Sequence, residues 1–204
     1  MKEKEIQDDL ASIRSLMERS SKFISLSGLA GILAGVYALI GSAAAYYILE
    51  HPYSYQSNTI FENFRVVPQL MGIAILVLVA SVITGVYLSY KKAHRNGHSV
   101  WNKTSKELLF YMAVPLFTGG GLMLILLSHG YFELLAAASL VFYGLALIGA
   151  SNFTFTDVKF LGLCEIVLGL AAAALPEYGL VLWAIGFGVL HIVYGSVMYL
   201  KYDR

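Results

Sequence analysis

Charge is what this chain has least of. Of its 204 residues, 14 are Lys or Arg and 13 are Asp or Glu, together 13%, against the roughly 25% usual in soluble domains. A surface made mainly for water is thereby excluded, and with hydrophobic residues at 58% lipid becomes the main solvent. Cysteine occurs once, at Cys164, which excludes an intrachain disulfide. Lying in an apolar stretch beside Glu165, it reads as a structural thiol rather than a reactive one. The chain also lacks HExxH, GxSxG and any paired-Asp motif within an apolar run, so the commonest hydrolytic machineries are missing and an enzyme is not the favoured reading.

What is present is a succession of apolar runs. Phe23 to Leu49, Val66 to Tyr90 and Tyr178 to Leu200 contain no Asp, Glu, Lys or Arg, and runs of that length read as membrane-spanning helices. Further spans are expected at about Leu108 to Ser128, Tyr131 to Ala150 and Phe160 to Pro176. The fold class expected is therefore all-α: a polytopic membrane protein of six transmembrane helices, built largely of short-looped hairpins and preceded by an amphipathic helix. Two units follow, a cytoplasmic helix at 1–22 and a six-span domain at 23–204. In the first unit Ile6, Leu10, Ile13 and Met17 recur with Ile24 at heptad-like spacing, the seam of a helix that lies on the membrane or pairs with a partner helix or a second copy.

Several local features carry expectations of their own. Ser-Ala-Ala-Ala at 42–45 resembles a signal-peptidase site, but five acidic residues precede the long apolar run, which favours an uncleaved first span. Pro68 is expected in the first turn of the second span, where proline is tolerated. Pro115, followed by Thr118 and Gly119 to Gly121, is expected to kink or partly unwind the third. His129-Gly130 marks a tight turn. His94 and His98 have an i, i+4 spacing, yet Gly97 between them weakens the helix that would align them for a metal. Glu50, His51, His129, Glu133 and Glu177 gather at span ends but read as solvated turn residues. No metal and no cofactor is expected.

Thirteen of the Lys and Arg residues fall on one side of the six-span arrangement and Arg65 alone on the other. The positive-inside rule then puts both termini in the cytoplasm of a bacterial inner membrane. The basic loop 91–107 borders two spans, so its partner is expected to be anionic lipid and not nucleic acid.

Ionisable groups occur inside the apolar runs at two places. Gly162, Glu165, Gly169 and Ala172 share one helical face, and Gly188, His191 and Gly195 share another. Both precede or follow Pro176-Glu177-Tyr178-Gly179 in what reads as one antiparallel hairpin. Glu165, His191 and Tyr194 form the candidate intramembrane polar site. A lone carboxylate at that depth costs on the order of 2 to 3 kcal/mol, so Glu165 is expected to be protonated or hydrogen-bonded. Candidate helix-packing positions are Gly28, Gly31 and Gly35 in the first span with Gly162, Gly169, Gly188 and Gly195 in the last two, because small residues let helices approach closely in lipid. Gly144 to Gly149 resembles Gly188 to Gly195, which points to a parallel duplication of hairpins.

The pattern GLxEIVLGL at 162–170, a run to Pro176 and IGFGxLxIVYG at 185–195 is similar to the repeated hairpins of the HdeD-like acid-resistance membrane proteins. The whole chain, with RSLMERSSKFISLSGLAGILAGVYALIG at 14–41 and HIVYGSVMYLKY at 191–202, also resembles a group of bacterial six-span membrane proteins. That second likeness brings no catalytic residues. The function expected is that of a non-enzymatic, sensing or stress-related membrane protein acting through helix packing and a cytoplasmic surface made by 1–22 and 91–107. The alternative is a small proton-coupled transporter or channel using Glu165 and His191.

Overall fold

Hydrocarbon offers no hydrogen bonds, so each apolar run must satisfy its own backbone, and the α-helix does this within one segment. The computed structural model describes residues 26–50, 59–95 and 101–203, with side chains from 66 onward in the second stretch. The helix expected at 1–22 lies outside the described residues, as does most of the loop interior at 96–100. Five α-helices come first: α1 (Gly28–Glu50), α2 (Thr59–Arg95), α3 (Lys103–Ser128), α4 (Leu134–Ser151) and α5 (Asp157–Ala174). A 3₁₀ turn at Pro176–Tyr178 leads into a last rod made of α6 (Gly179–Trp183), a π-helical stretch (Ala184–Leu190), α7 (His191–Met198) and a second π-helical stretch (Tyr199–Asp203).

Five helical segments are long and apolar enough to cross a membrane: Gly28–Glu50, Val66–Arg95, Lys103–Ser128, Leu134–Ser151 and Pro176–Asp203. The sixth expected span corresponds to α5, whose 18 residues include Asp157, Lys159 and Glu165, and it is not among the five. Two local expectations are corrected. Helix α2 begins at Thr59, so Pro68 sits in its interior and not in its first turn. Helix α3 runs unbroken from Lys103 to Ser128 through Pro115 and the three glycines, so the partial unwinding expected there does not occur. Thr118 Oγ1 donates to the Val114 carbonyl at 2.8 Å, so the hydroxyl is satisfied within the helix rather than left bare in lipid.

The helix ends follow local chemistry. Asn102 and Ser105 form a capping box at the start of α3, with Asn102 Oδ1 accepting from the Ser105 N–H at 2.8 Å. Helix α3 ends at His129, where Gly130 takes φ +80°, a conformation open to glycine and strained for other residues. Helix α5 ends at Leu175, which adopts φ −130° and ψ 71° because the following Pro176 disfavours helical geometry before it. The first N–H of α1 is capped from the other end of the chain, the Gly28 N–H donating to Asp203 Oδ2 at 2.8 Å.

Helix α4 packs along α5, and α1 packs along the last rod; α2 adds to α1 and α3 to α4. The last rod also touches α4 and α5, which puts it at the centre of the bundle. Outward faces carry apolar side chains such as Leu76, Ile83, Val86, Phe110 and Phe117, as lipid contact requires.

The two main pairs cross in the same way. A Cβ on Gly144 would stand 2.6 Å from the Gly162 carbonyl and 2.7 Å from Ile166 Cγ1, and one on Gly35 would stand 2.6 Å from both the Gly188 carbonyl and Ile192 Cγ1. Each pair is therefore a glycine meeting a glycine, with an isoleucine four residues on closing the contact. Helix association in lipid depends on such van der Waals fit rather than on apolar burial. Gly144 of α4 and Gly35 of α1 hold equivalent places, as do Gly162 of α5 and Gly188 of the last rod.

Candidate functional site between α4, α5 and the last rod

Helix α5 turns one stripe inward: Val158, Leu161, Gly162, Glu165, Gly169 and Ala172 are all buried. Its period of three and four residues keeps them on one side. Glu165 is 0% exposed. Opposite it the last rod widens into its π-helical stretch, a form that interrupts α-helices and is frequent at functional sites. Gly186 in that stretch gives the carboxyl its space, since a Cβ there would lie 2.5 Å from Glu165 Oε2 and 2.6 Å from Leu140 Cδ2.

His191, 6% exposed, uses both ring nitrogens. Nδ1 lies 3.0 Å from the Gly186 carbonyl oxygen and donates to it, which leaves Nε2 to accept from the Tyr143 hydroxyl at 2.9 Å. The imidazole is thereby assigned as the neutral Nδ1–H tautomer. Glu165 Oε1 is also 3.4 Å from Nδ1, an ion-pair distance, but the single Nδ1 proton is directed at Gly186. Both Glu165 oxygens are consequently without a hydrogen-bond partner among the described residues. One proton thus stands between two acceptors. Tyr143, Phe187 and His191 form a ring cluster with centroids 5.0 to 5.8 Å apart, and Trp183 joins Phe187 at 5.0 Å. This apolar wall encloses the site.

Glu165 and His191, which the sequence placed on one hairpin, come together here. Tyr194 does not bond to Glu165; its hydroxyl is buried and unpartnered among the described residues. The small residues beside them serve other neighbours. Gly162 meets Gly144 and Gly169 meets Val141 on α4, while Gly188 meets Leu39 and Gly195 meets Gly28 and Ile32 on α1. Gly28 lies against Gly195 and Tyr199, Gly31 against Gly195 and Gly35 against Gly188. Sequence reasoning missed Tyr143 and Gly186. Neither had a signal in the spacing, since Tyr143 lies outside the hairpin that carries Glu165 and His191 and Gly186 has no polar group of its own.

A second polar group closes the end of the bundle that carries Lys92 and Lys201. Asp157 Oδ2 accepts from Lys201 Nζ at 2.9 Å and from the Tyr202 hydroxyl at 2.8 Å. The Lys201 bond, reinforced by that of Tyr202, holds the Asp157 carboxyl below the usual carboxylate range against a partial desolvation that raises it. Lys92 Nζ donates to Asp203 Oδ1 at 2.5 Å and to the Leu26 carbonyl at 2.7 Å. At the opposite end His129 Nδ1 donates to the Ile125 carbonyl at 2.9 Å. Three or more metal-ligating side chains are gathered nowhere among the described residues.

Comparisons with protein-family models, curated proteins and solved structures find no match to this chain. The roles of these residues therefore rest on their geometry.

Proposed function

We propose that this is a non-enzymatic bacterial inner-membrane protein that senses protons through the Glu165–His191 pair. The observation that carries the reading is the unpartnered carboxyl of Glu165, fully buried and 3.4 Å from a ring nitrogen whose proton is engaged elsewhere. A neutral carboxylic acid suits such a place, while a carboxylate there demands a donor. On losing its proton Glu165 draws the Nδ1–H of His191 away from the Gly186 carbonyl. Gly186 is then without that donor, and the π-helical stretch around it, whose Gly188 rests on α1, repacks. A titration inside one hairpin becomes a change at a helix–helix crossing, which is a two-state element of the kind switches use.

Six spans belong to the same proposal. Helix α5 follows α4 along its whole length through Gly162 and Gly169, and at 18 residues it is about 27 Å long. If α4 crosses the bilayer, α5 crosses beside it. Both termini then lie in the cytoplasm with the Lys-rich side, and residues 1–22 supply a helix for a partner or a second copy.

Infrared difference spectroscopy on the full chain in lipid nanodiscs tests the reading. The C=O stretch of a protonated carboxylic acid should come and go with pH in the wild type and vanish in Glu165→Gln. A wild type with no such band at any pH would end the proposal. The transporter reading is favoured by the same unpartnered carboxyl and opposed by the continuous α3. It requires pH-gradient-driven dye quenching in proteoliposomes that Glu165→Gln abolishes.

A further inference from the structure

Resting on the reading of Glu165 as a proton-binding group, we propose that its protons travel from the Lys201 end of the bundle through Asp157, Tyr194, Tyr143 and His191. The last link is direct: the Tyr143 hydroxyl donates to His191 Nε2 at 2.9 Å, and His191 Nδ1 stands 3.4 Å from Glu165 Oε1. The first link faces outward, since Asp157 is half-buried at the head of α5 and is held by Lys201 and Tyr202. Between them lies Tyr194, three residues and so one turn beyond His191 on the same face of α7. Tyr143 and Tyr194 pack on the same cluster of Leu147, Val158 and Leu161, together with Phe155. Phe155 in turn stacks on Tyr202 at 4.0 Å, and Tyr202 donates to Asp157.

The buried, unpartnered Tyr194 hydroxyl makes the assignment specific. A phenol in an apolar cluster leaves its hydrogen-bonding capacity unused at a cost, and a group that both donates and accepts is what a relay needs at that point. Each step moves one proton. Water at Asp157 passes a proton to Tyr194 Oη through a bridging water, Tyr194 releases its own toward Tyr143, and Tyr143 gives its proton to His191 Nε2. His191 releases the Nδ1 proton to Glu165 Oε1 and remains neutral as the other tautomer. The charged groups facing the route are Asp157 and Lys201 at its mouth and Glu165 at its end; Lys92, 5.7 Å from the Phe155 ring centroid, flanks the mouth.

The experiment is a pH jump on the full chain in nanodiscs, read by time-resolved infrared at the carboxylic acid band. Tyr194→Phe, which removes an unpartnered hydroxyl and so leaves the fold intact, should slow the appearance of the Glu165 band by on the order of 100-fold with its final amplitude unchanged. Asp157→Asn should slow it less. Wild-type rates in both Tyr194→Phe and Asp157→Asn would overturn the route while the Glu165 band itself remained, and so would a lost amplitude in Tyr194→Phe. Absence of the band in the wild type is a different result, and it would instead remove the reading on which the route rests.

Discussion

Glu165 and Gly186 define each other. The carboxyl occupies the volume that any side chain at 186 needs, with Oε2 2.5 Å from the position of a Cβ and Leu140 Cδ2 behind it at 2.6 Å. Gly186→Ala should therefore destabilise the protein by about 1 to 3 kcal/mol, the usual effect of overpacking, read as a lower unfolding midpoint in detergent. Substituting Glu165→Gln in the same background should leave that loss in place, because the clash is with the shape of the side chain and not its charge. Asp157 is the residue whose titration bears on stability from outside the spans. Its carboxyl is depressed by Lys201 and Tyr202, so the pair's contribution is complete above the unfolded carboxyl value of about 4 and is lost as pH falls through the lower folded value. The contribution is about 0 to 1 kcal/mol for a partly exposed pair. Unfolding midpoints of wild type and Asp157→Asn should differ at neutral pH and converge in acid.

At the scale of the elements, what distinguishes the helices is which of their glycines are used. Gly28, Gly35, Gly144, Gly162 and Gly195 meet backbone across an interface, whereas Gly72 and Gly85 on α2 and Gly120 and Gly121 on α3 have open space where a Cβ would go. Gly35→Leu or Gly144→Leu should force a crossing apart and abolish the folded state or shift its midpoint by many degrees. Gly85→Ala and Gly120→Ala should be neutral or stabilise by up to about 1 kcal/mol through helix propensity. Thermal unfolding of the four variants side by side checks both halves. Comparable losses at all four positions would mean that α2 and α3 are packed where the structure leaves them free. The π-helical stretch is the other element with a consequence, since it places the His191 ring nitrogen on the carbonyl of Gly186. In a regular α-helix the residues at 186 and 191 are not neighbours on one face.

Across the whole molecule the first and last of the described helical segments are tied together. Asp203 caps α1 through the Gly28 N–H and Ser27 while it pairs with Lys92 of α2, joining the first span, the second and the carboxyl-terminal end. Removing the cap by Asp203→Ala should reduce stability by about 1 to 2 kcal/mol, in the range of lost N-caps, and leave Lys92 without its carboxylate. Asp203→Asn should recover part of the loss, since an amide oxygen still caps while it no longer pairs with the lysine. The comparison is again of unfolding midpoints. Six-span topology is tested at this scale by impermeant thiol labelling of single cysteines in a Cys164→Ser background. Positions 97 and 156 should label from the cytoplasmic side and position 131 from the other.

The amino-acid sequence by itself determined the solvent and the class. Fewer charges than a water-facing surface needs, and uncharged runs of more than twenty residues, leave helices in lipid as the form that satisfies the backbone. It also placed the turns at Gly130 and Pro176, where local chemistry decides, and set Glu165 and His191 on one hairpin. Continuity of α3 was not legible, because proline and glycine lower helix propensity in isolation while lipid leaves their neighbours no alternative to hydrogen-bonding within the helix. Partnership was decided only by the tertiary structure. Gly162 and Gly188 look alike along the chain, yet one meets α4 and the other α1. Tyr143, from a different hairpin, completes the His191 site. A helical face records what can approach it, and which helix does so depends on the fit of all the others.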